Sequence, residues 1–125
     1  MAEHNQLGQW GEELAVKYLR RKGFYPVARN WHYGKRDIDI VATDEEGTIM
    51  LFVEVKTRRN NVFGEPEEAV DEEKKRNLTI AANAYIKSHY VRCETRFDIV
   101  AIVGTCEADA VVKHIPDAFP PYYFK

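Results

Sequence analysis

Cysteine is nearly absent from this 125-residue chain, with two in all, and proline (5) and glycine (7) are sparse. Cys93 and Cys106 lack metal-ligand spacing, so space-filling, reduced thiols in a cytoplasmic protein fit better than a disulfide framework. Long apolar runs are lacking too. The longest strong one is Ile49-Met50-Leu51-Phe52-Val53, against the roughly 18 residues a membrane helix needs. The N-terminal Glu3, His4, Asn5 and Gln6 do not form the basic segment of a secretory signal. Nor is there an excess of positive charge: 18 Lys and Arg face 20 Asp and Glu, for a net charge of −2. That excludes a uniformly basic nucleic-acid coat and leaves room for a local basic surface.

What is present is an ordinary globular balance of 45% hydrophobic and 30% charged residues. A chain of this length makes one domain, residues 1–125, able to bury about two-thirds of its unfolded surface. Leu7, Trp10, Leu14 and Tyr18 recur at helical spacing and predict a helix over 6–22, stopped by Gly23. Residues 24–32 read as extended. Alternation predicts strands over 37–42 and 49–56, joined by the polar turn 43–48 as an antiparallel hairpin. A loop at 60–66 leads to a helix over 67–88, broken near Asp71. Strands over 96–103 and 110–115 follow, then a proline- and aromatic-rich tail, 116–125. The fold expected is α/β: a small mixed sheet flanked by helices, in the order α-β-β-β-α-β. The crossover between the third and fourth strands suits a right-handed parallel connection.

Residues two apart on a strand share a face. Glu54 and Lys56 therefore point one way with Met50 and Phe52, while Ile49, Leu51, Val53 and Val55 take the other side. Asp37 and Asp39 share a face on the neighbouring strand, opposite Ile38, Ile40 and Ala42, and a short turn brings Asp39 near Glu54. Carboxylates on apolar central strands are costly unless paired or coordinated. One solution is a hard divalent cation, Mg²⁺ or Mn²⁺, held by Asp39, Glu54 and the Val55 carbonyl. Lys56 would then orient a water or stabilise charge on a phosphate. The other is a plain salt bridge of Asp39 or Glu54 with Lys56. Asp98 beside Arg96 reads as an ion pair or a strand-end residue rather than a ligand. His4, His32, His89 and His114 are scattered without zinc spacing. No phosphate-binding glycine loop or serine elbow appears.

Several stretches together resemble the YraN family of bacterial proteins, which is similar to the restriction-endonuclease-like PD-(D/E)xK nucleases. They are Gly8-Gln9-Trp10-Gly11-Glu12-Glu13-Leu14-Ala15, Ala28-Arg29-Asn30-Trp31, Asp37-Ile38-Asp39-Ile40-Val41-Ala42, Phe52-Val53-Glu54-Val55-Lys56-Thr57-Arg58, Phe63-Gly64 with Pro66, Ala69-Val70 with Lys74, Ala84-Tyr85, Arg96-Phe97-Asp98-Ile99-Val100, and His114-Ile115 with Asp117-Ala118-Phe119. The resemblance implies a nuclease core of the kind found in archaeal Holliday-junction resolvases. By position, Asp39 matches the metal-binding acid, Glu54 and Lys56 the E-x-K pair, and Glu12 the first-helix glutamate that completes such sites. Where the family usually has Gly-Glu, this chain has Arg36-Asp37.

The function expected is therefore a metal-dependent endonuclease cutting DNA, with branched repair or recombination intermediates as the implied substrates. Its catalytic set would be Glu12, Asp39, Glu54 and Lys56. Arg20, Arg21, Lys22, Arg58, Arg59 and Lys74 would contact backbone phosphates. Cutting both strands favours a homodimer, with Phe119 to Phe124 as a candidate contact and packing on its own domain as the alternative for that tail. Two other readings stand beside this one: a non-catalytic nucleic-acid-binding module, and a partner-binding protein in a DNA-processing complex.

Overall fold

Runs of consecutive apolar residues build the central strands of a five-stranded sheet, and two helices cover its two faces. The computed structural model describes residues 2–121, with side chains from Gln6 onward. The elements are α1 (Ala2–Arg21), β1 (Phe24–Tyr33), β2 (Arg36–Asp44), β3 (Ile49–Arg58), a 3-10 turn (Pro66–Ala69), α2 (Glu72–Ser88), β4 (Glu94–Val103) and β5 (Val111–Phe119). The strands lie side by side in chain order. Neighbours are antiparallel except β3 and β4, which the α2 crossover makes parallel.

The sheet has two covered faces. Against α1, Leu14, Ala15, Val16 and Leu19 meet Ile40, Ala42, Leu51, Val53, Val100 and Ile102. Against α2, Leu78, Ala81, Ala82 and Tyr85 meet Ile38, Val41, Met50, Phe52, Phe97 and Ile99. Phe52 is fully buried between α2 and the sheet, a burial worth about 1.5–3 kcal/mol. Residues 49–53 alternate between the faces as expected. Strand β2 does not. Ile38 packs on the α2 side and Ile40 on the α1 side, so the expected common face for Ile38, Ile40 and Ala42 is wrong. The slip falls at Asp39.

The helical break expected near Asp71 is present. A 3-10 turn ends at Ala69, and the Asp71 side chain caps α2 by accepting the Lys74 N–H at 2.9 Å. The last strand is longer than 110–115. It continues through Pro116, which an edge strand tolerates, past a register shift opposite Phe97 and Ile99 to Phe119. Phe119 is buried and stacked on Phe97, with ring centres 4.8 Å apart. That part of the tail packs on its own domain and is not a free dimer contact. Residues 122–125, including Phe124, lie outside the described residues.

Candidate functional site

The pairing of β2 with β3 runs from Thr43–Met50 to Ile40–Val53 and stops there. One residue further, Asp39 leaves the ladder, and its side chain replaces it: Oδ2 accepts the Val55 N–H at 2.8 Å. The part-buried Val55 amide therefore remains satisfied, and the carboxylate is fixed beside Glu54. Glu54, on the α2 side of β3, is 2% exposed. Its Oε2 has no hydrogen-bond partner.

Two ammonium groups approach the other oxygen, Oε1. Lys56, two residues along the same strand, stands 3.6 Å away, and Lys74 from the first turn of α2 stands 3.3 Å away. Lys74 also reaches Asp37 Oδ1 at 3.8 Å. Lys74 is thus placed within the carboxylate cluster, and Asp37 enters the site as its partner. The sequence did carry a signal for this. A crossover helix starts near the carboxyl end of the strand it follows, so the first turn of α2 returns to the end of β3.

Helix α1 brings Glu12 to the cluster by close packing. A Cβ on Gly11 would lie 2.0 Å from Thr57 Oγ1, so the helix approaches β3 this closely only with glycine there. Glu12 Oε1 then accepts from Asn30 Nδ2 at 3.1 Å, and Arg29 lies 3.5 Å away. Asn30 sits in the left-handed region at φ 50°, which asparagine tolerates better than most residues.

The electrostatics follow from burial and from like charges held close. Burial and the Asp39 charge push the Glu54 carboxyl up to about 8, against the pull of Lys74 and Lys56. Burial, with repulsion from Asp37, also raises Asp39, although the Val55 N–H opposes the shift. Glu12 is raised by burial and then by Asp39. Burial alone would lower Lys74, but Glu54 and then Asp37 hold it above the usual lysine value. Asp39 and Glu54 thus share a deficit of positive charge that a proton or a cation would fill.

Among the described residues, no three carboxylate, imidazole or thiol side chains gather into a ready-made metal cage. The donors at hand are two carboxylates and a main-chain carbonyl. Mg²⁺, which keeps several waters and takes one or two protein carboxylates, suits such a set. The orphaned Glu54 oxygen fits it as well.

The basic residues divide. Arg58, the last residue of β3, and Arg59 just beyond it line an open cleft of about 680 Å³. Arg20, Arg21 and Lys22 lie at the far end of α1, where Phe24 pairs with Asp44, roughly 16 Å along β2 from Asp39 at about 3.3 Å per residue. They are not part of the cluster. Asp98 is the ion pair its sequence suggested. Buried on β4, it accepts from Arg96 Nε at 2.8 Å and from the Asp117 N–H at 3.1 Å, and lies 2.7 Å from His114 Nε2. These partners hold its carboxyl below the usual range despite burial. Cys93 and Cys106 are free. Among the described residues, no helix is long and apolar enough to cross a membrane.

The model of an uncharacterised protein family, UPF0102, matches residues 11–102. The chain belongs to UPF0102. The matched stretch contains Glu12, Asp39, Glu54, Lys56 and Lys74. A UPF0102 protein of Phocaeicola vulgatus is 44% identical over 97% of this chain and 98% of its own length. One from Bacteroides thetaiotaomicron is 44% identical over 99% of this chain and 100% of its own. One from Porphyromonas gingivalis is 39% identical over 96% and 88%. The UPF0102 chain described here therefore spans nearly the whole length of these relatives.

Proposed function

We propose that this UPF0102 chain is a metal-dependent nuclease that hydrolyses DNA phosphodiester bonds, a divergent member of the PD-(D/E)xK group. The observation that carries the reading is the buried Glu54 carboxylate, with one oxygen unpartnered beside Asp39 and the other between two lysines. Asp39, Glu54 and the Val55 carbonyl would hold Mg²⁺ or Mn²⁺. The ion would ease formation of the attacking hydroxide and offset charge developing on the phosphate.

The chain's own residues supply the rest. Lys56, half-buried at the open end of β3, offers its ammonium to the attacking water or to a phosphate oxygen. Lys74 restrains Glu54 and Asp37 from α2. Glu12, held by Asn30 and Arg29, adds a further carboxylate on the α1 side and can accept a proton from water. Arg58 and Arg59 would take backbone phosphates next to the cluster, without sequence preference. Arg20, Arg21 and Lys22 are distant enough to meet only a substrate that extends across the sheet. Branched DNA, with arms leaving in different directions, would meet both basic regions, and cutting both strands would call for a second copy of the chain.

A non-catalytic nucleic-acid-binding module is the second reading. It is favoured by one feature: Lys74 already joins Glu54 to Asp37 and so reduces the cluster's need for a metal. Cleavage of labelled branched, single-stranded and duplex DNA in Mn²⁺ decides between them. Cutting by the wild type, with Glu54→Gln binding the same DNA but leaving it intact, supports the nuclease. DNA bound equally by both proteins and cut by neither supports the binding module.

A further inference from the structure

The loop that follows β3 presents an aromatic ring entirely to solvent. Phe63 is 101% exposed and its neighbour Val62 is 74% exposed. The loop holds this shape through its own hydrogen bonds. Val62 N–H donates to Asn60 Oδ1 at 3.1 Å, Gly64 N–H to the Asn61 carbonyl at 3.2 Å, and Asn61 Nδ2 to Glu65 Oε1 at 3.0 Å. Gly64, at φ 115°, makes the turn. Phe63 lines the open cleft of about 680 Å³ with Arg58, Arg59 and Asn60, and also with Glu65 and Glu68, whose carboxylates accept hydrogen bonds from Asn61 and from the Glu65 N–H. Thr57, which lines the cleft, follows Lys56 on β3 and meets Gly11, the residue before Glu12. A flat apolar face beside two guanidinium groups matches one ligand chemistry closely, an unstacked nucleobase on a phosphate backbone. Duplex DNA keeps its base faces covered, whereas single strands and junctions expose them.

We infer that Phe63 is a stacking platform for an unpaired base, with Arg58 and Arg59 on the adjoining phosphates, so that the site selects DNA containing unstacked nucleotides. This rests on the nucleic-acid reading given above. Base stacking on an aromatic side chain and charge contact with the backbone are the usual means of holding single strands.

The test uses a ten-nucleotide single strand carrying 2-aminopurine and a fully paired duplex, in low salt with EDTA to prevent cleavage. We expect the wild type to quench 2-aminopurine and to prefer the single strand. Phe63→Ala should lose the quenching and weaken single-strand binding by about 5- to 100-fold, with duplex binding unchanged. Phe63→Trp should retain both properties. Arg58→Ala should weaken binding of both DNAs and lower the salt dependence by about one phosphate contact. Equal quenching and affinity in Phe63→Ala overturns the stacking platform while leaving the nuclease reading intact. Failure of the wild type to bind either DNA overturns both. A wild-type dimer in sedimentation that Phe63→Ala abolishes, with DNA binding untouched, assigns the loop tip to a protein contact and also overturns the inference.

Discussion

Asp39 Oδ2 accepts the Val55 N–H at 2.8 Å at the point where β2 leaves β3. One carboxylate oxygen therefore does a structural task, completing the edge of a β-ladder, while the group as a whole stands against Glu54. The two roles can be separated by mutation. Asparagine keeps an oxygen for the amide and removes the charge. We expect Asp39→Asn to unfold in urea close to wild type, and Asp39→Ala, which leaves a part-buried N–H without its partner, to lose about 1 kcal/mol. Equal stabilities for the two variants would mean the Val55 bond contributes nothing.

The pH dependence of stability has a definite sign. Glu54 has an ordinary carboxyl value near 4.5 when unfolded and about 8 when folded. Between these values the folded chain keeps a proton that the unfolded chain has released. Its contribution to stability is therefore complete below about pH 4.5 and is lost as pH rises through about 8. Asp39 and Glu12, also raised, act in the same direction. In EDTA, Tm should fall between pH 5 and pH 8, and Glu54→Gln should flatten that fall. An unchanged slope in the variant would place the protonated group elsewhere.

Lys74 stands closer to Glu54 than Lys56 does, 3.3 against 3.6 Å. Removing a positive neighbour disfavours the charged carboxylate. Lys74→Ala should therefore move the pH of half-maximal Mn²⁺ binding upward, and by more than Lys56→Ala does. Lys56→Ala should instead reduce turnover more than metal affinity. Titrations at pH 7, 8 and 9 check the first expectation and single-turnover cleavage the second.

Gly11 and Thr57 form a tight contact between α1 and β3. Alanine in a helix interior normally gains about 1 kcal/mol over glycine, but here its Cβ would force the helix away from the strand. Gly11→Ala should be net destabilising by about 1–3 kcal/mol, with partial rescue in the double variant Gly11→Ala, Thr57→Ala. Urea melts of the four proteins give the coupling directly, and additive effects would contradict the contact.

Much of this was legible from residue spacing. Alternation puts Glu54 and Lys56 on one face of β3, because a pleated strand leaves side chains little choice, and the short turn of the hairpin brings Asp39 near Glu54. Three features were not legible, each for a physical reason. The face of Ile38 depends on a slip at Asp39 that periodicity does not encode. The place of Lys74 depends on how α2 docks, a tertiary fact, although its position in the first turn after β3 was a usable hint. The remoteness of Arg20, Arg21 and Lys22 follows from the length and direction of α1. A run of basic residues reveals its charge but not where the helix carries it. Glu12 enters by family resemblance; Gly11 beside it is a mid-helix glycine that meets Thr57, but Gly8 in the same helix meets nothing, so a glycine by itself does not reveal the close approach.

The central claim is that Asp39 and Glu54 share one divalent cation. Calorimetric titration of Mn²⁺ into the wild type and into Asp39→Asn, at pH 8 and with a non-cleavable DNA present to supply any phosphate ligand, tests it most directly. We expect one site per chain in the wild type and none in the variant. Equal binding by both proteins, or no binding by the wild type, would contradict it.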